Sequence, residues 1–148
     1  MSEHFIRGMT APDLMCVCID ERGAAGSSGR LYHRYGKEPG LFQNEYQLLT
    51  LMEELMDRIG YPQASVEMRS YGKKNPETGR GEKTPAVSAE EVAGQQGRCA
   101  TFLVHVQYRQ NATWQGRLVW KEAEKEVEFR SALELIILVD NALNEDCK

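Results

Sequence analysis

The feature that most constrains this chain is an ungapped internal similarity at an offset of 87 residues, which aligns 15–56 with 102–143. Similarity at a fixed spacing is the signature of a repeated supersecondary unit, and such a unit dictates the architecture of the whole chain. The identical residues include Val17 and Val104, Arg22 and Arg109, Ala25 and Ala112, Gly29 and Gly116, Arg30 and Arg117, Leu31 and Leu118, Phe42 and Phe129, and Leu48 and Leu135. The sequence therefore predicts two copies of one unit, at 14–59 and 100–144.

Both copies begin with apolar residues at every second position. The matched residues are Met15, Val17 and Ile19 in the first copy and Phe102, Val104 and Val106 in the second. A period of two is typical of a strand with one buried face. In each copy a glycine, Gly29 or Gly116, then opens a second alternating run, which indicates a β-hairpin.

A third strand is clear in only one copy. The segment KEVEF, 125–129, alternates and predicts that Val127 and Phe129 point inward. The corresponding segment KEPGLF contains Pro39 and Gly40. Because proline removes a ladder hydrogen bond, we expect this third strand to be broken or absent.

Each copy then shows the sequence signature of a helix N-terminus. Asn44 with Gln47, and Ser131 with Glu134, form capping boxes, in which an N-cap side chain and the residue three positions later satisfy backbone donors. Both boxes precede an apolar run with helical spacing. The sequence therefore predicts that each unit ends in a helix.

The two predicted helices, 45–59 and 132–143, differ in their apolar surface. The first has one apolar face opposite a charged one, whereas the second is apolar nearly all round. A helix of the second kind must be covered on more than its sheet side. Two covers remain open, namely the first helix lying beside it across a pseudo-two-fold axis, or a second copy of the chain in a homodimer.

The predicted fold class is α+β, with an antiparallel sheet built from two duplicated β-hairpin(-β)-α units and both helices on one face. The units are too small to fold separately, so we expect a single domain, 1–148. Between the units, 63–71 is predicted as an additional strand and 72–98, which has no aromatic residue, as a mobile loop. Within that loop, Ser88 and Glu91 indicate a short helical turn.

Composition narrows the class of protein. The net charge is −4, with 27% charged and 41% hydrophobic residues, which is typical of a globular chain. An acidic balance disfavours a general nucleic-acid binder. No apolar stretch is long enough to span a bilayer and no apolar leader follows the N-terminus, so we expect a soluble cytoplasmic protein. There the four cysteines are expected to be reduced, without a disulfide framework.

The most unusual surface chemistry lies in the stretch RQNATWQGRLVW, 109–120, which is predicted to form a hairpin tip. We expect Tyr108 to point inward and Arg109 to point to the outer face. The first copy carries Arg22 and Arg30 at matching places. The candidate partner-binding residues are Arg109, Asn111, Trp114, Gln115, Arg117, Arg22 and Arg30.

Two interpretations of this set of side chains remain open. Arginine beside tryptophan and amides suits phosphate contact and base stacking, and it is equally the composition of a protein–protein hot spot. The simpler interpretation is structural. The arginine stems would lie along apolar atoms, and Trp114 would cover the open end of the core.

Metal and catalytic chemistry is not indicated. Cys16 and Cys18 share a strand face, with His33 on the neighbouring strand, but their spacing lacks the zinc-knuckle pattern, so small buried apolar residues are the better interpretation. The chain contains no nucleophile-elbow, zinc-protease, Walker or dinucleotide-binding motif. No catalytic residue, metal or cofactor is predicted, and the chain is predicted not to be an enzyme. An unrecognised catalytic site between the repeats is the alternative.

Two resemblances bear on function. The stretches RQNATWQG and FRSALEL resemble a group of small bacterial proteins carrying RQNxxWQG and FRSxLEL, a group that has no assigned activity. In the first copy Ser27 stands where the motif has Trp114, and Ala24 stands where it has Asn111. More loosely, three strands followed by a helix is similar to the plan of plant-type and integrase-type DNA-binding domains, whose sheet is strongly basic. Here the outward strand positions are rich in glutamate, and a shared fold does not transfer function.

The sequence therefore predicts a non-enzymatic binding or regulatory protein whose partner it does not specify. The contact surface would be the arginine-bearing hairpin tips or the apolar helix, and the partner would be another protein or a second copy of the chain. A sequence-tolerant nucleic-acid binder is the alternative from another class, although the net charge disfavours it. No membrane contact is expected.

Overall fold

The computed structural model of the protein describes residues 13–23, 26–60, 85–109 and 114–146. The predicted strand at 63–71 lies outside them. In chain order the elements are β1 (Met15–Gly23), β2 (Gly26–His33), β3 (Gly36–Phe42), α1 (Glu45–Ile59), α2 (Ala89–Ala93), β4 (Ala100–Tyr108), β5 (Gln115–Trp120), β6 (Lys125–Phe129) and α3 (Ala132–Asp146).

The strands form one antiparallel sheet in the order β3-β2-β1-β4-β5-β6. The two first strands, β1 and β4, pair at its centre, where Val17 lies opposite Phe102. Each half of the sheet is thus a three-stranded meander followed by a long helix. The predicted α+β class with an antiparallel sheet is confirmed.

Both long helices pack on the same face of the sheet. The inward side chains of β1 and β4 form its centre, and α1 and α3 cover them in one continuous cluster. Buried members of the cluster are Met15, Val17, Ile19, Phe42, Met52, Met56, Phe102, Val104, Val106, Phe129, Leu135 and Leu143. Burial of each large apolar side chain stabilises the fold by roughly 1.5–3 kcal/mol, so this layer dominates the stability.

The helices begin where the capping boxes predict. The Asn44 carboxamide oxygen accepts a hydrogen bond from the Gln47 N–H at 2.9 Å, and the Ser131 hydroxyl oxygen accepts one from the Glu134 N–H at 3.0 Å. In return the Gln47 and Glu134 side chains accept bonds from the N–H groups just before each cap. Helix α1 ends at Gly60, whose φ of 70° suits glycine.

The outer strands differ from the expectation in two ways. β3 is a complete edge strand despite Pro39, so the prediction of a broken third strand was wrong. An edge strand tolerates proline because one side of its ladder has no partner. In β6, Phe129 is buried as predicted, but Val127 is 42% exposed, because the edge of the sheet extends beyond the helix cover.

The opposite face of the sheet is covered by residues 85–98. Helix α2 starts at Ser88, whose hydroxyl accepts a hydrogen bond from the Glu91 N–H, as predicted. This stretch and the sheet share a second apolar cluster, made of Leu14, Cys16, Cys18, Val87, Ala89, Val92, Ala93, Leu103 and Val119. Residues 85–98 therefore differ from the loop we expected, because four small apolar side chains give them a core. Residues 72–84 lie outside the described residues.

Each half carries a β-bulge in its first strand. The register of β1 with β2 shifts between Ile19 and Glu21, and that of β4 with β5 shifts between Val106 and Tyr108. A bulge inserts one extra residue and so reverses the faces that later side chains take. Tyr108 is consequently exposed, contrary to the predicted inward orientation, and the arginine after it turns toward the helices.

A glycine beside each bulge lets the hairpin strands approach closely. A Cβ at Gly29 would overlap the carbonyl oxygen of Cys18, and a Cβ at Gly116 would overlap that of His105. Any side chain at these positions would displace the neighbouring backbone. This contact explains why both hairpins carry glycine there.

Candidate functional site

Arg109 is a buried residue of the helix face and not part of an exposed tip. Its side chain is 4% exposed, and its Nη1 lies 2.9 Å from Asp57 Oδ1 and 3.5 Å from Glu53 Oε2. Trp114 lies beside it, also buried, and donates its indole N–H to Glu53 Oε1 at 3.1 Å. The predicted outward orientation of Arg109 was wrong because of the bulge, and Trp114 covers the core as the simpler interpretation proposed.

Arg22 makes the equivalent contact in the other half of the molecule. Its Nη2 lies 2.5 Å from Asp140 Oδ1, and its Nη1 donates to Asn144 Oδ1 at 2.7 Å. The side chain is 26% exposed, so this contact is more open than that of Arg109. Each arginine therefore connects the hairpin of one half to the long helix of the other.

The two sets of contacts match residue by residue at the offset of 87. The matched positions are Arg22 and Arg109, Glu53 and Asp140, and Asp57 and Asn144. Two acceptors four positions apart lie one helical turn apart on the same helix face, which is the spacing that a guanidinium fork can bridge. This geometry fixes the end of each hairpin against the helix layer.

Arg30 and Arg117 lie on the opposite face of the sheet. Arg30 forms a bidentate ion pair with Asp20, at 2.9 and 3.0 Å, and Arg117 pairs with Glu126 on β6. The Arg30 contact holds the pKa of Asp20 below its usual value. The four arginines thus point to two faces and each has an acidic partner, so they do not form a single basic surface.

The other predicted contact residues, Gln115 and Asn111, do not add to a common surface among the described residues. Gln115 is half-buried at the start of β5, and Asn111 lies outside the described residues. The structure therefore brings together only Arg109 and Trp114 from the predicted set. What it adds is their acceptors on α1, Glu53 and Asp57, and the acceptor of Arg22 on α3, Asp140. The repeat offset would have indicated Glu53 and Asp140, since these two are matched acidic positions on the two helices.

A cleft of about 410 Å³ lies between the first hairpin and the helices. Its lining comprises Arg22, Gly23, Gly26, Ser27, Glu45, Ile136, Ile137 and Asp140. Ser27 is buried, and its hydroxyl oxygen has no hydrogen-bond partner among the described residues. The Ser27 backbone N–H donates to Glu45 Oε2 at 3.2 Å, so the start of α1 packs against this residue.

The outer side of α3 is largely uncharged, and its charged side chain, Asp140, is paired with Arg22. Its exposed positions within 132–144 are Leu133, Ile137, Asn141 and Asn144. Leu133 is 68% and Ile137 is 47% exposed, and their spacing of four places them on one face. The exposed side of α1 is charged instead, with Glu53, Glu54, Asp57 and Arg58. The apolar cover predicted for α3 is therefore incomplete in the described chain.

Cys16 and Cys18 lie together within the second apolar cluster. Cys16 and Cys18 are buried free thiols with their sulfur atoms 3.9 Å apart, and the pKa of Cys16 is raised by its hydrogen bond to Cys18 and by burial. Across the residues that the structure describes, no group of three or more His, Cys, Asp or Glu side chains could hold a metal ion. Cys99 is disulfide-bonded, so the prediction that the cysteines stay reduced was wrong for this residue.

A buried acid–imidazole pair lies at the start of the central strands. Asp13 Oδ1 is 2.8 Å from His105 Nδ1, and burial raises the pKa of Asp13 despite this contact. Its second oxygen has no hydrogen-bond partner among the described residues. Neither residue lines the cleft described above. The contact orients the imidazole of His105 on β4.

The chain matches no protein family model, no curated protein and no solved structure. The resemblance of the segment at 109–135 to small bacterial proteins therefore stays a prediction. None of the helices in the described part of the chain is both long enough and apolar enough to cross a bilayer. The functional argument consequently depends on the geometry of this molecule.

Proposed function

We propose that this protein is a non-enzymatic binding protein whose contact surface is the outer side of α3. The observation that supports this proposal is the exposed apolar pair of Leu133 and Ile137, whose charged neighbour on the same face, Asp140, is paired with Arg22. Large apolar side chains one turn apart on an exposed helix are typical of helix–helix association. The hairpin arginines are paired with acidic residues, so they support a role as the contact surface less strongly than the α3 face does.

The partner that this face suits best is a second copy of the chain. In a two-fold dimer the same patch meets itself, so a charged patch would bring like charges together. The α3 face limits that repulsion, because Leu133, Ile137 and Asn141 are uncharged and the charge of Asp140 is paired with that of Arg22. The charged outer side of α1 would not pair with itself in this way.

The oligomeric state tests the proposal directly. Sedimentation velocity over a range of about 1–200 μM should show a monomer–dimer equilibrium for the native chain, a range suited to small interfaces. Leu133→Ser should weaken dimerisation at least tenfold. The matched control is Leu41→Ser, because Leu41 is 71% exposed but lies on β3. A native protein that stays monomeric throughout would overturn self-association, as would equal effects of the two variants.

We also infer that the two halves are copies of one β-hairpin(-β)-α unit, at 14–59 and 100–144. Three kinds of matched detail support this: the bulges, the glycines Gly29 and Gly116, and the arginine contacts to the opposite helix. These details depend on tertiary contacts, so a shared local sequence preference does not explain them.

A nucleic-acid function is the weaker proposal. Phosphate contacts require cations that are available for counterion release. Arg30 and Arg117 lie on the sheet face opposite the long helices, and both are engaged by carboxylates. Fluorescence anisotropy with labelled mixed-sequence DNA and RNA at low salt tests this alternative. Binding that falls with salt, and that Arg117→Ala weakens, would favour it over self-association.

A further inference from the structure

The two edge strands of the sheet, β3 and β6, differ in how they are protected. β3 carries Pro39, which has no N–H, and its register with β2 is irregular between Leu31 and His33. Proline and an irregular register are devices that keep an edge strand from pairing with another chain. β6, Lys125–Phe129, contains neither proline nor glycine, and its register with β5 is unbroken. Of the two edges, β6 is therefore the one whose backbone suits an added strand.

The register shows which backbone groups β6 directs away from β5. The Lys121 N–H donates to the Thr101 carbonyl oxygen, which continues the ladder between β4 and β5. Because backbone groups alternate in direction along an antiparallel strand, Glu126 and Glu128 then direct their N–H and C=O groups outward. Arg130, two positions further on, agrees with this pattern, since its N–H is taken by a side chain of α3. No described segment of the chain pairs with the outward groups of β6.

The side chains of β6 indicate what kind of strand this edge accepts. Val127 is 42% exposed on the sheet face that carries the long helices, so an apolar side chain opposite it would cover it. The edge also borders a depression of about 480 Å³, whose lining comprises Gln107, Arg117, Glu126, Val127 and Glu128. Glu126 is paired with Arg117, whereas the Glu128 carboxylate has neither an ion pair nor a hydrogen bond to another described residue. A strand with a basic residue opposite Glu128 therefore complements this edge.

We propose that the edge of β6 binds an extended basic peptide segment of another protein as an added strand. The backbone groups of Glu126 and Glu128 form the ladder, a Lys or Arg side chain of the peptide pairs with Glu128, and the apolar residue next to it covers Val127. A second copy of the chain does not suit this edge, because two β6 strands in a two-fold pair would bring their acidic side chains together. No residue of β6 belongs to the α3 face, so this contact is separate from self-association.

Fluorescence anisotropy on the full chain tests the proposal, with a fluorescein-labelled Lys-Val-Lys-Val-Lys peptide as the probe. The native chain should bind this peptide saturably. Two control peptides separate the contributions of charge and backbone. Glu-Val-Glu-Val-Glu reverses the charge, and a Lys-Val-Lys-Val-Lys peptide with every backbone nitrogen methylated keeps the side chains but loses the donors of the ladder. Each control should bind at least tenfold more weakly than the probe.

Variants of the protein locate the site. Glu128→Lys should weaken binding at least tenfold, because it reverses the unpaired charge of the edge. Glu128→Pro should weaken it as much, because it removes an outward N–H and leaves the bonds to β5 in place; Pro39 shows that an edge of this sheet accepts proline. If Glu128→Pro does not fold by circular dichroism, Glu128→Lys decides. The matched control is Glu54→Lys, which makes the same charge change on the exposed side of α1 and should retain binding.

Three results would overturn the proposal. The first is no binding to the native chain at up to about 200 μM protein. The second is equal affinity for the probe and its methylated form, which would reduce the contact to charge attraction without an added strand. The third is equal weakening by Glu128→Lys and Glu54→Lys, which would place the peptide elsewhere on the acidic surface. Leu133→Ser should bind the peptide as the native chain does, and a loss of binding in that variant would assign the peptide to the α3 face.

Discussion

The two hairpin–helix contacts of this molecule use the same arginine fork but differ in their cover. Arg109 is sealed beneath Trp114, whereas Arg22 stands beside Ser27 at the edge of an open cleft. Sheet, bulge and ion pair are shared, but the side chains beside the arginine differ, because Ser27 stands where the other half has Trp114 and Glu45 where it has Ala132. One framework thus closes its core with an indole in one half and with a small residue beside a helix carboxylate in the other.

Removal of the Trp114 side chain should change the stability more than any other substitution in this comparison. Trp114→Ala deletes a buried aromatic side chain and leaves a cavity, so the free energy of unfolding should fall by about 3–5 kcal/mol. Ser27→Ala should change it by less than about 0.5 kcal/mol, since the hydroxyl has no partner to lose. Urea unfolding monitored by circular dichroism measures both. Similar losses at the two positions would show that the halves do not differ as described.

The glycines test what the halves share. Gly29→Ala and Gly116→Ala each place a methyl group against backbone, and each should destabilise the protein by about 3 kcal/mol. Gly23→Ala is the control, because nothing lies within 4 Å of its Cβ position, and it should have little effect. Thermal and urea unfolding are suitable measurements. A large loss at only one of the two glycines would contradict the equivalence of the hairpins.

Substitution of the two hairpin arginines, Arg109 and Arg22, should change the stability by an intermediate amount. Arg109→Ala removes a buried cation with two carboxylate partners, so we expect a loss of about 2 kcal/mol. Arg22→Ala should cost less than about 1 kcal/mol, because its contact is more exposed to solvent. The comparison is made by urea unfolding at moderate salt. A larger loss of unfolding free energy for Arg22→Ala than for Arg109→Ala would show that the more exposed arginine contact is the more stabilising one.

The smallest expected effect concerns the outer sheet face and acid stability. Because Arg30 holds the folded-state pKa of Asp20 below its usual value of 3.8, the stabilisation is present above that value and is lost as the pH falls through the lowered pKa. The advantage of the native chain over Asp20→Asn should therefore shrink below about pH 3.8. Unfolding free energies at pH 2–5 test this. A stability difference that does not vary with pH would exclude the ion pair as its cause.

Much of the local structure was predictable because its causes are local. The capping boxes at Asn44 and Ser131 placed both long helices correctly, since a cap involves only residues within one turn. Simple alternation failed at Tyr108 because a bulge is stabilised by the partner strand. The prediction that Pro39 breaks the third strand failed because only the strand order shows that β3 lies at an edge of the sheet.

The candidate site was less predictable than the fold. The sequence indicated Arg109 and Trp114, but it gave them an exposed role, whereas both are buried. Ser27 was noted only as a departure from a motif. Its place in the lining of a cleft depends on how the hairpin packs against the helices, which no residue pattern encodes directly.

By itself the amino-acid sequence determined the central strands and the starts of the long helices, because alternation and capping act over a few residues. Only the tertiary structure decided the partners of the arginines. Arg22 and Asp140 are separated by 118 positions, and a bulge sets the face from which the arginine reaches the helix. The cleft at Ser27 was decided in the same way, since it exists only where a hairpin of one half meets the helix of the other.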